Sequence, residues 1–194
     1  MYKRCFTEQS ARRQRALEQG LLEIMETRRY EDITIIELCS WLNIPRKAFY
    51  RYFSSKEGAL YALIDHTLMD FSVDFLAHDA MATYSTLEHF FSFWATQGSL
   101  LDALERNEMS GLLVQRALLL ATDEEIFPGN LFPDHSRATR EHVALFVVSG
   151  MMAMVAQWHR TRFGHSPQKM AEIAAYLLTQ PLVSPSVDLD AIDG

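Results

Sequence analysis

The 194-residue sequence has few of the residues that interrupt helices or cross-link chains. It contains eight glycines, six prolines and two cysteines. Two cysteines cannot build a disulfide framework, and no CxxC pair or Cys/His cluster suggests a zinc site. Long stretches without glycine or proline favour helices over many short strands. The N-terminal residues of the sequence contain no apolar run typical of a signal peptide, so we expect a cytoplasmic protein.

Signatures of enzymes are lacking as well. The sequence has no nucleophile elbow, no phosphate-binding loop and no zinc-ligand spacing. Asp65, His66 and Asp70 suggest acid–base or metal chemistry, but Asp65 and His66 are neighbours and face apart on a helix. We therefore predict that the protein is not an enzyme, that it has no catalytic or metal-binding residue, and that it needs no cofactor.

The charge is unevenly distributed along the chain. The formal net charge is −7, yet residues 1–56 hold eleven Lys and Arg against seven Asp and Glu. The remaining residues hold seven Lys and Arg against eighteen Asp and Glu. A basic first part followed by an acidic remainder indicates two parts with different partners, and a nucleic acid would bind the first.

The longest apolar segment is residues 143–158, VALFVVSGMMAMVAQW. As a helix it spans about 24 Å at ~1.5 Å per residue, which is less than the ~30 Å hydrocarbon core of a bilayer. We therefore predict no membrane span. A helix that is apolar on all sides is buried on all sides, so this segment is expected in a central core or a subunit interface.

Three helices are predicted in the first part of the chain. Apolar residues at helical spacing indicate a first helix over 7–27. Thr34 and Glu37 form a capping-box pattern at the start of a second helix. Asn43 tolerates the left-handed conformation at a helix end, and Pro45 suits the first turn of a third helix. The order helix, short turn, helix is that of a DNA-binding helix-turn-helix.

The third predicted helix has two different faces. Phe49 and Phe53 are four residues apart and share one side, whereas Lys47 and Arg51 share roughly the opposite side. The rings would hold the helix on its neighbours, and the cations with the small Ala48 would face a DNA groove. From spacing alone, a solvated basic face on an ordinary helical hairpin remains an open alternative.

The segment RRYEDITIIELCSWLNIPRKAFYRYFSSKEGALYALI resembles the N-terminal domain of the TetR family of transcriptional regulators. The matching residues, in order and spacing, are Tyr30, Thr34, Leu38, Phe49, Tyr50, Phe53, Ser55, Lys56 and Glu57. A weaker similarity links QWHRTRFGHSPQKMAEIAAYLL to the last two helices of such proteins. Lys47 and Ala48 depart from the family pattern on the reading face, so no base preference carries over from a relative.

The resemblance implies an all-α fold. It comprises an N-terminal three-helix helix-turn-helix DNA-binding domain over 1–55 and a larger helical ligand-binding and dimerisation domain over 56–180. The tail 181–194 is expected to be disordered. By the same resemblance, the residues that contact DNA bases or phosphates are Thr34, Arg46, Lys47, Ala48, Tyr50, Arg51, Tyr52 and Lys56.

The second part of the chain is predicted to be helical over 56–78, 87–97, 100–107, 110–122, 137–163 and 167–179. Aromatic and methionine side chains are concentrated there and suit an apolar or flat ligand. The residues predicted to line a ligand pocket are Phe71, Phe75, Phe90, Phe93, Trp94, Met109, Phe146 and Met151. Plain core packing is the alternative for each of them.

The last two helices would form a four-helix interface with a second copy, so that two recognition helices reach successive major grooves. The resemblance thus implies a homodimeric regulator, most often a repressor, that binds a near-palindromic double-stranded operator under the control of a small ligand. The competing hypothesis is an all-helical small-molecule carrier or partner-binding protein that does not read DNA.

Overall fold

The computed structural model describes residues 2–77, 83–121 and 137–179, without the side chains of 73–77, 83 and 137–140. Within these ranges the chain forms nine α-helices and no strand, which confirms the predicted all-α class. The helices are α1 (Glu8–Met25), α2 (Ile35–Trp41), α3 (Arg46–Tyr52), α4 (Lys56–Ala77), α5 (Thr83–Ala95), α6 (Gly98–Arg106), α7 (Ser110–Ala121), α8 (Arg137–Arg160) and α9 (Pro167–Thr179). The predicted tail, 181–194, lies outside the described residues.

The turn between α2 and α3 closes as the sequence predicts. Asn43 adopts a left-handed backbone with a φ of 51°. The Ile44 amide donates to the Cys39 carbonyl at 2.9 Å, and the Asn43 amide donates to the Ser40 carbonyl at 3.1 Å. This pair of bonds is a Schellman motif, which satisfies carbonyls at the end of a helix. Asparagine can therefore make this tight turn without glycine.

The first three helices and the start of α4 share one apolar core. Its fully buried members include Leu21 and Met25 of α1, Leu38 of α2, Phe49 of α3, and Phe53 and Leu60, all at 0% exposure. Each such side chain contributes roughly 1.5–3 kcal/mol when it leaves water. This core fixes the orientation of α3 against α1 and α2.

The remaining helices form a second layer around α4. Helix α4 packs on α1, α5 and α7. Helix α5 lies along α9, and α7 lies along α8. The core of this part contains Phe91, Trp94 and Trp158, which are at most 2% exposed. The predicted domain boundary after residue 55 coincides with the start of α4, and it stays a prediction.

Helix α8 contains the apolar segment that the sequence singles out. By length and composition alone, Glu141–Arg160 could cross a membrane, with a mean hydropathy of 1.2. Only 28% of this window is buried within the protomer. Its last turn is tied to α6, because His159 places its two ring nitrogens 3.0 Å from Asp102 and 3.1 Å from Glu105. The segment is therefore not enclosed by the described part of its own chain, and the predicted subunit interface stays a prediction.

A polar network crosses the junction between α4, α7 and the residues before α1. The carboxylate of Asp65, which is 1% exposed, accepts hydrogen bonds from the Tyr2 hydroxyl at 2.8 Å and from Arg116 Nε at 2.6 Å. His66 turns elsewhere, with Nδ1 2.9 Å from the Glu18 carboxylate. Burial raises the pKa of Glu18. We call Tyr2, Asp65 and Arg116 the junction network.

The side chains of Asp65 and His66 thus have separate partners, as the sequence predicts. No group of three or more His, Cys, Asp or Glu side chains in the described ranges could hold a metal ion.

Gly20 marks the closest approach of α1 to the helix-turn-helix. A Cβ at this position would lie 2.4 Å from Leu42 Cδ2. Gly20→Ala is therefore expected to lower the free energy of unfolding by about 1 kcal/mol, because the overpacking penalty of ~1–3 kcal/mol exceeds the gain in helix propensity. In a Leu42→Ala background the same change should instead be neutral or stabilising by up to ~1 kcal/mol. Chemical denaturation of the four proteins measures this coupling, and equal effects in both backgrounds would contradict the contact.

Candidate functional site: a basic helix face and an apolar cavity

Helix α3 separates its rings from its cations. Phe49 and Phe53 are fully buried, with ring centroids 5.2 Å apart. Lys47 and Arg51 lie on the opposite side and are exposed. Arg46, at the first position of α3, is exposed as well. The buried rings fix the helix, so the three cations stand on a rigid outward surface.

Half of the other cations in residues 1–56 have a carboxylate partner in the described structure, whereas the three cations of α3 have none there. Among the described residues, Arg12, Arg15, Arg28 and Arg29 form ion pairs with Glu8, Asp70, Glu37 and Glu31. The Lys and Arg residues up to Arg51 that form no ion pair within the described part of the chain are Lys3, Arg4, Arg13, Arg46, Lys47 and Arg51. The outward face of α3 therefore keeps its positive charge despite the acidic balance of the chain.

Tyr50 and Ala48 lie beside these cations. Tyr50 is 41% exposed, and its hydroxyl lies 3.3 Å from the Arg46 guanidinium. The same guanidinium lies over the Tyr50 ring, 5.8 Å from its centroid. Ala48 is half-buried at the edge of the face. A small residue at this place lets the backbone of α3 approach a partner closely.

Two residues predicted to contact the DNA backbone, Tyr52 and Lys56, instead make contacts within the protein. Tyr52 is only 6% exposed and belongs to the core side of α3 with Phe49. Lys56 Nζ lies 2.5 Å from the Tyr30 carbonyl and 2.6 Å from the Ile33 carbonyl. Burial lowers the pKa of Lys56. The structure therefore places Tyr52 in the core. Lys56 links α4 to the turn before α2 through hydrogen bonds to backbone carbonyls.

Thr34 forms the capping box that the sequence predicts. Its hydroxyl accepts from the Glu37 amide at 3.2 Å, while the Glu37 carboxylate accepts from the Thr34 amide at 2.9 Å. The hydrogen bonds from Thr34, together with that from Arg28, hold the pKa of Glu37 below its ordinary value. Thr34 is exposed at the start of α2, but its hydroxyl is already paired with Glu37.

An apolar cavity of about 230 Å³ lies between α4, α5, α7, α8 and α9. Its described wall contains no charged side chain. Leu68 contributes from α4, Ala117 and Leu120 from α7, and Val147 and Val148 from α8. Water has few partners in such a space, and an apolar molecule is the occupant that suits it.

The structure brings together half of the residues predicted for a pocket. Phe71, Phe90, Trp94 and Met151 line the cavity. Phe93 packs beside it, with its ring centroid 5.3 Å from that of Phe71. The remaining predicted residues do not form the described wall: Met109 is half-buried near the start of α7, Phe146 is 68% exposed, and the side chain of Phe75 lies outside the described residues.

Sequence reasoning missed two features of these sites. The aliphatic and small residues of the cavity wall have no distinctive pattern, because a cavity is defined by the space between several helices. The residues before α1, including Lys3 and Arg4, were not assigned any role. Their adjacent positive charges were the one available signal.

Comparison with known proteins identifies the fold. No protein-family model and no curated protein matches the sequence. Three solved structures of regulators match over most of their length and are 12–16% identical to this chain. Two of these are DhaS, described as an activator of the dihydroxyacetone kinase operon, and FadR from Bacillus halodurans, described as a regulator of fatty acid degradation.

DhaS has a TM-score of 0.58, with 86% of this chain and 93% of that chain covered, at 16% identity. FadR has a TM-score of 0.60, with 88% and 96% covered, at 12% identity. The third structure is AlkX from a Dietzia species, described as a TetR-family repressor implicated in the biodegradation of n-alkanes. It has a TM-score of 0.53, with 85% and 95% covered, at 14% identity. The chain therefore has the fold of the TetR-family transcriptional regulators, as its helix-turn-helix sequence predicts.

Proposed function

We propose that the protein is a sequence-specific DNA-binding transcriptional regulator that acts as a homodimer and responds to a small apolar ligand. One observation carries the proposal: the outward face of α3 holds three cations with no ion pair in the described structure, on a helix fixed by buried rings. Arginine can bind guanine through two hydrogen bonds, and Ala48 can contact a thymine methyl. Helix α3 is the second helix of the helix-turn-helix, and in such motifs the second helix enters the major groove.

An exposed stripe of mostly apolar or small residues on α8 supports dimerisation. Phe146, Gly150, Ala153 and Gln157 are exposed and are spaced by four, three and four residues. This heptad-like spacing is the pattern by which helices pack against one another. Small residues in its centre permit a close approach of a second helix. On α9, Tyr176 and Leu177 are also exposed and extend the apolar surface.

Gly150→Glu tests this interface without disturbing the protomer. A Cβ at Gly150 meets no atom within 4 Å, so the side chain fits the isolated chain and replaces a poor helix former. In the proposed dimer it would bury a charge between two α8 helices. We expect a monomer in sedimentation at concentrations where the unchanged protein is a dimer.

Gly111→Glu is the matched control for this substitution. Gly111 lies on α7, is exposed, and also has no atom within 4 Å of a Cβ. This variant should remain dimeric. A Gly150→Glu protein that sediments as the unchanged dimer would contradict the proposed interface.

The cavity supports control by an uncharged apolar ligand. The described wall has no cation to pair with a carboxylate and no anion to pair with an amine. Two of the compared proteins are named for fatty acid degradation and for n-alkanes. A hydrocarbon chain or an uncharged ring compound fits the wall better than a free acid does, because an unpaired buried charge is strongly unfavourable.

The cavity and the junction network share two helices, which supports coupling of the ligand to DNA affinity. Ala117 lines the cavity and directly follows Arg116, while Leu68 lies about one turn beyond Asp65 on α4. A ligand that shifts α7 against α4 would move the buried Arg116–Asp65 pair. Because α4 also packs on α1, the orientation of the N-terminal domain that contains α1, α2 and α3 would then change.

Selection of bound duplexes from a random pool with the purified full chain tests the proposed function. We expect enrichment of a near-palindromic site whose half-sites are about 10 base pairs apart, the repeat of the major groove on one face of DNA. The alternative, an all-helical carrier that does not read DNA, predicts no enrichment.

A further inference from the structure

The residues before α1 form an ordered extended segment that docks on the end of α3. We call residues 2–6 the arm. Tyr2 makes an antiparallel bridge with Phe53, and the Lys3 amide donates to the Tyr52 carbonyl at 2.9 Å. The Tyr2 hydroxyl donates to the buried Asp65 at 2.8 Å, which fixes the root of the arm on α4. Cys5 Sγ donates to Gln14 Oε1 on α1 at 2.8 Å.

The arm places two more cations at the end of the α3 face. Lys3 Nζ lies 3.5 Å from the Tyr50 carbonyl, in the last turn of α3. Arg4 follows it in the chain and is exposed. Neither residue forms an ion pair within the described ranges, in contrast to Arg12, Arg28 and Arg29. Lys3 therefore adds an unpaired cation at the end of α3, and Arg4 adds a second exposed cation to the arm.

We propose that the arm is a second DNA-contacting element, in which Lys3 and Arg4 bind phosphates beside the base pairs that α3 reads. This inference rests on the proposed function. An ammonium and a guanidinium both donate to phosphate oxygens, and the guanidinium can do so through two parallel bonds. Such contacts set the position of α3 along the groove and carry no base preference themselves. Because the backbone bridge at Phe53, which includes the Lys3–Tyr52 bond, and the hydrogen bond from Tyr2 to Asp65 hold the arm, little order remains to be gained on binding.

A purely structural role for the arm makes a different prediction. A cation near the carboxyl end of a helix stabilises the helix dipole, so Lys3 could act on α3 alone. That role predicts a loss of thermal stability on removal of the charge and no change in the number of ions released on DNA binding. It assigns no role to Arg4, which makes no described contact with α3.

The test is the salt dependence of DNA binding by the Lys3→Ala, Arg4→Ala double variant of the full chain. The probe is a duplex enriched by the unchanged protein, and binding is measured between 50 and 200 mM salt by fluorescence anisotropy. Two arms in a dimer supply four phosphate contacts, so the slope of log K against log salt should become less steep by about 3.6. Raising the salt from 50 to 200 mM weakens binding by some factor for each protein, and that factor should be roughly 100 times smaller for the variant than for the unchanged protein.

The matched control is the Arg162→Ala, Lys169→Ala double variant, which removes the same charge from the turn after α8 and from the start of α9. It should keep the slope of the unchanged protein. A hydroxyl-radical footprint should also shorten at both outer edges for the arm variant, because the backbone there is no longer covered.

The outcomes separate the arm from the function itself. If the unchanged protein binds DNA and the arm variant keeps the same slope and footprint, the arm proposal is overturned and the function of α3 stands. A lowered melting temperature with an unchanged slope overturns it in favour of the structural role. If the unchanged protein binds no duplex, the proposed function fails and the arm proposal fails with it.

Discussion

Replacing Arg116 by alanine is expected to lower the free energy of unfolding by about 3–5 kcal/mol, because it leaves a buried carboxylate without its charged partner. Asp65 is 1% exposed, and the Arg116 guanidinium holds both of its carboxylate oxygens. The hydrogen bond with Asp65 in turn raises the pKa of Arg116. After the substitution, the Tyr2 hydroxyl would be the one remaining donor on Asp65 among the described contacts.

Chemical denaturation at a fixed protomer concentration measures this effect, since the proposed dimerisation would make stability depend on concentration. The matched control is Arg15→Ala, which breaks the pair of Arg15 with Asp70 at the surface, where the side chains are 40% and 57% exposed. That change should lower the unfolding free energy by less than ~1 kcal/mol.

A second comparison separates the charge from the packing at this site. Asp65→Leu with Arg116→Met replaces both partners by apolar side chains, and such exchanges of buried pairs are often neutral or stabilising. We expect this double variant to recover most of the stability lost in Arg116→Ala. Equal effects of Arg116→Ala and Arg15→Ala would contradict a buried role for the junction network.

Replacing Lys47 and Arg51 together by alanine is expected to reduce affinity for the enriched duplex by roughly 1,000-fold or more. Both residues are exposed on α3 and form no ion pair within the described part of the chain. A base contact by such a residue contributes about 1–3 kcal/mol, and a dimer contains four of these side chains. Even at ~1 kcal/mol each, the sum corresponds to about three powers of ten in the dissociation constant.

The fold should tolerate this double substitution, because neither side chain belongs to the core. Thermal unfolding and the sedimentation coefficient are therefore expected to remain unchanged. The Arg162→Ala, Lys169→Ala variant removes the same charge elsewhere and should bind the duplex normally. A Lys47→Ala, Arg51→Ala protein that binds as well as that control would show that α3 does not carry recognition.

Local patterns were sufficient to predict the helix-turn-helix. The capping box of Thr34 and Glu37, the left-handed Asn43 and the buried pair of Phe49 and Phe53 each depend on residues close in sequence. Spacing of three or four residues determines which side chains share a face of a short helix. The position of α3 therefore followed from its own residues.

Contacts between distant residues were not predictable in the same way. Lys56 reaches carbonyls more than twenty residues earlier in the chain, and no local pattern indicates such a brace. Tyr52 was predicted through the family resemblance to contact the DNA backbone, and it lies three residues after Phe49, on the buried side of α3. The junction network joins Tyr2, Asp65 and Arg116 across three separate segments, which only the packed structure brings together.

The cavity illustrates the same limit. Phe71, Phe90, Trp94 and Met151 reach its wall, but Phe93 and Phe146 have the same apolar character and do not. Composition selects residues that can line an apolar space, whereas the relative placement of five helices decides which ones do.

The salt dependence of binding to the enriched duplex tests the central claim most directly. On this account, the cations of α3 and of the arm, in both protomers of the dimer, contact phosphates and bases. Raising the salt from 50 to 200 mM should then weaken binding by at least about 1,000-fold, the loss expected for six or more phosphate contacts. Binding that is equally tight at both salt concentrations, or equally tight to unrelated duplexes, would contradict the account.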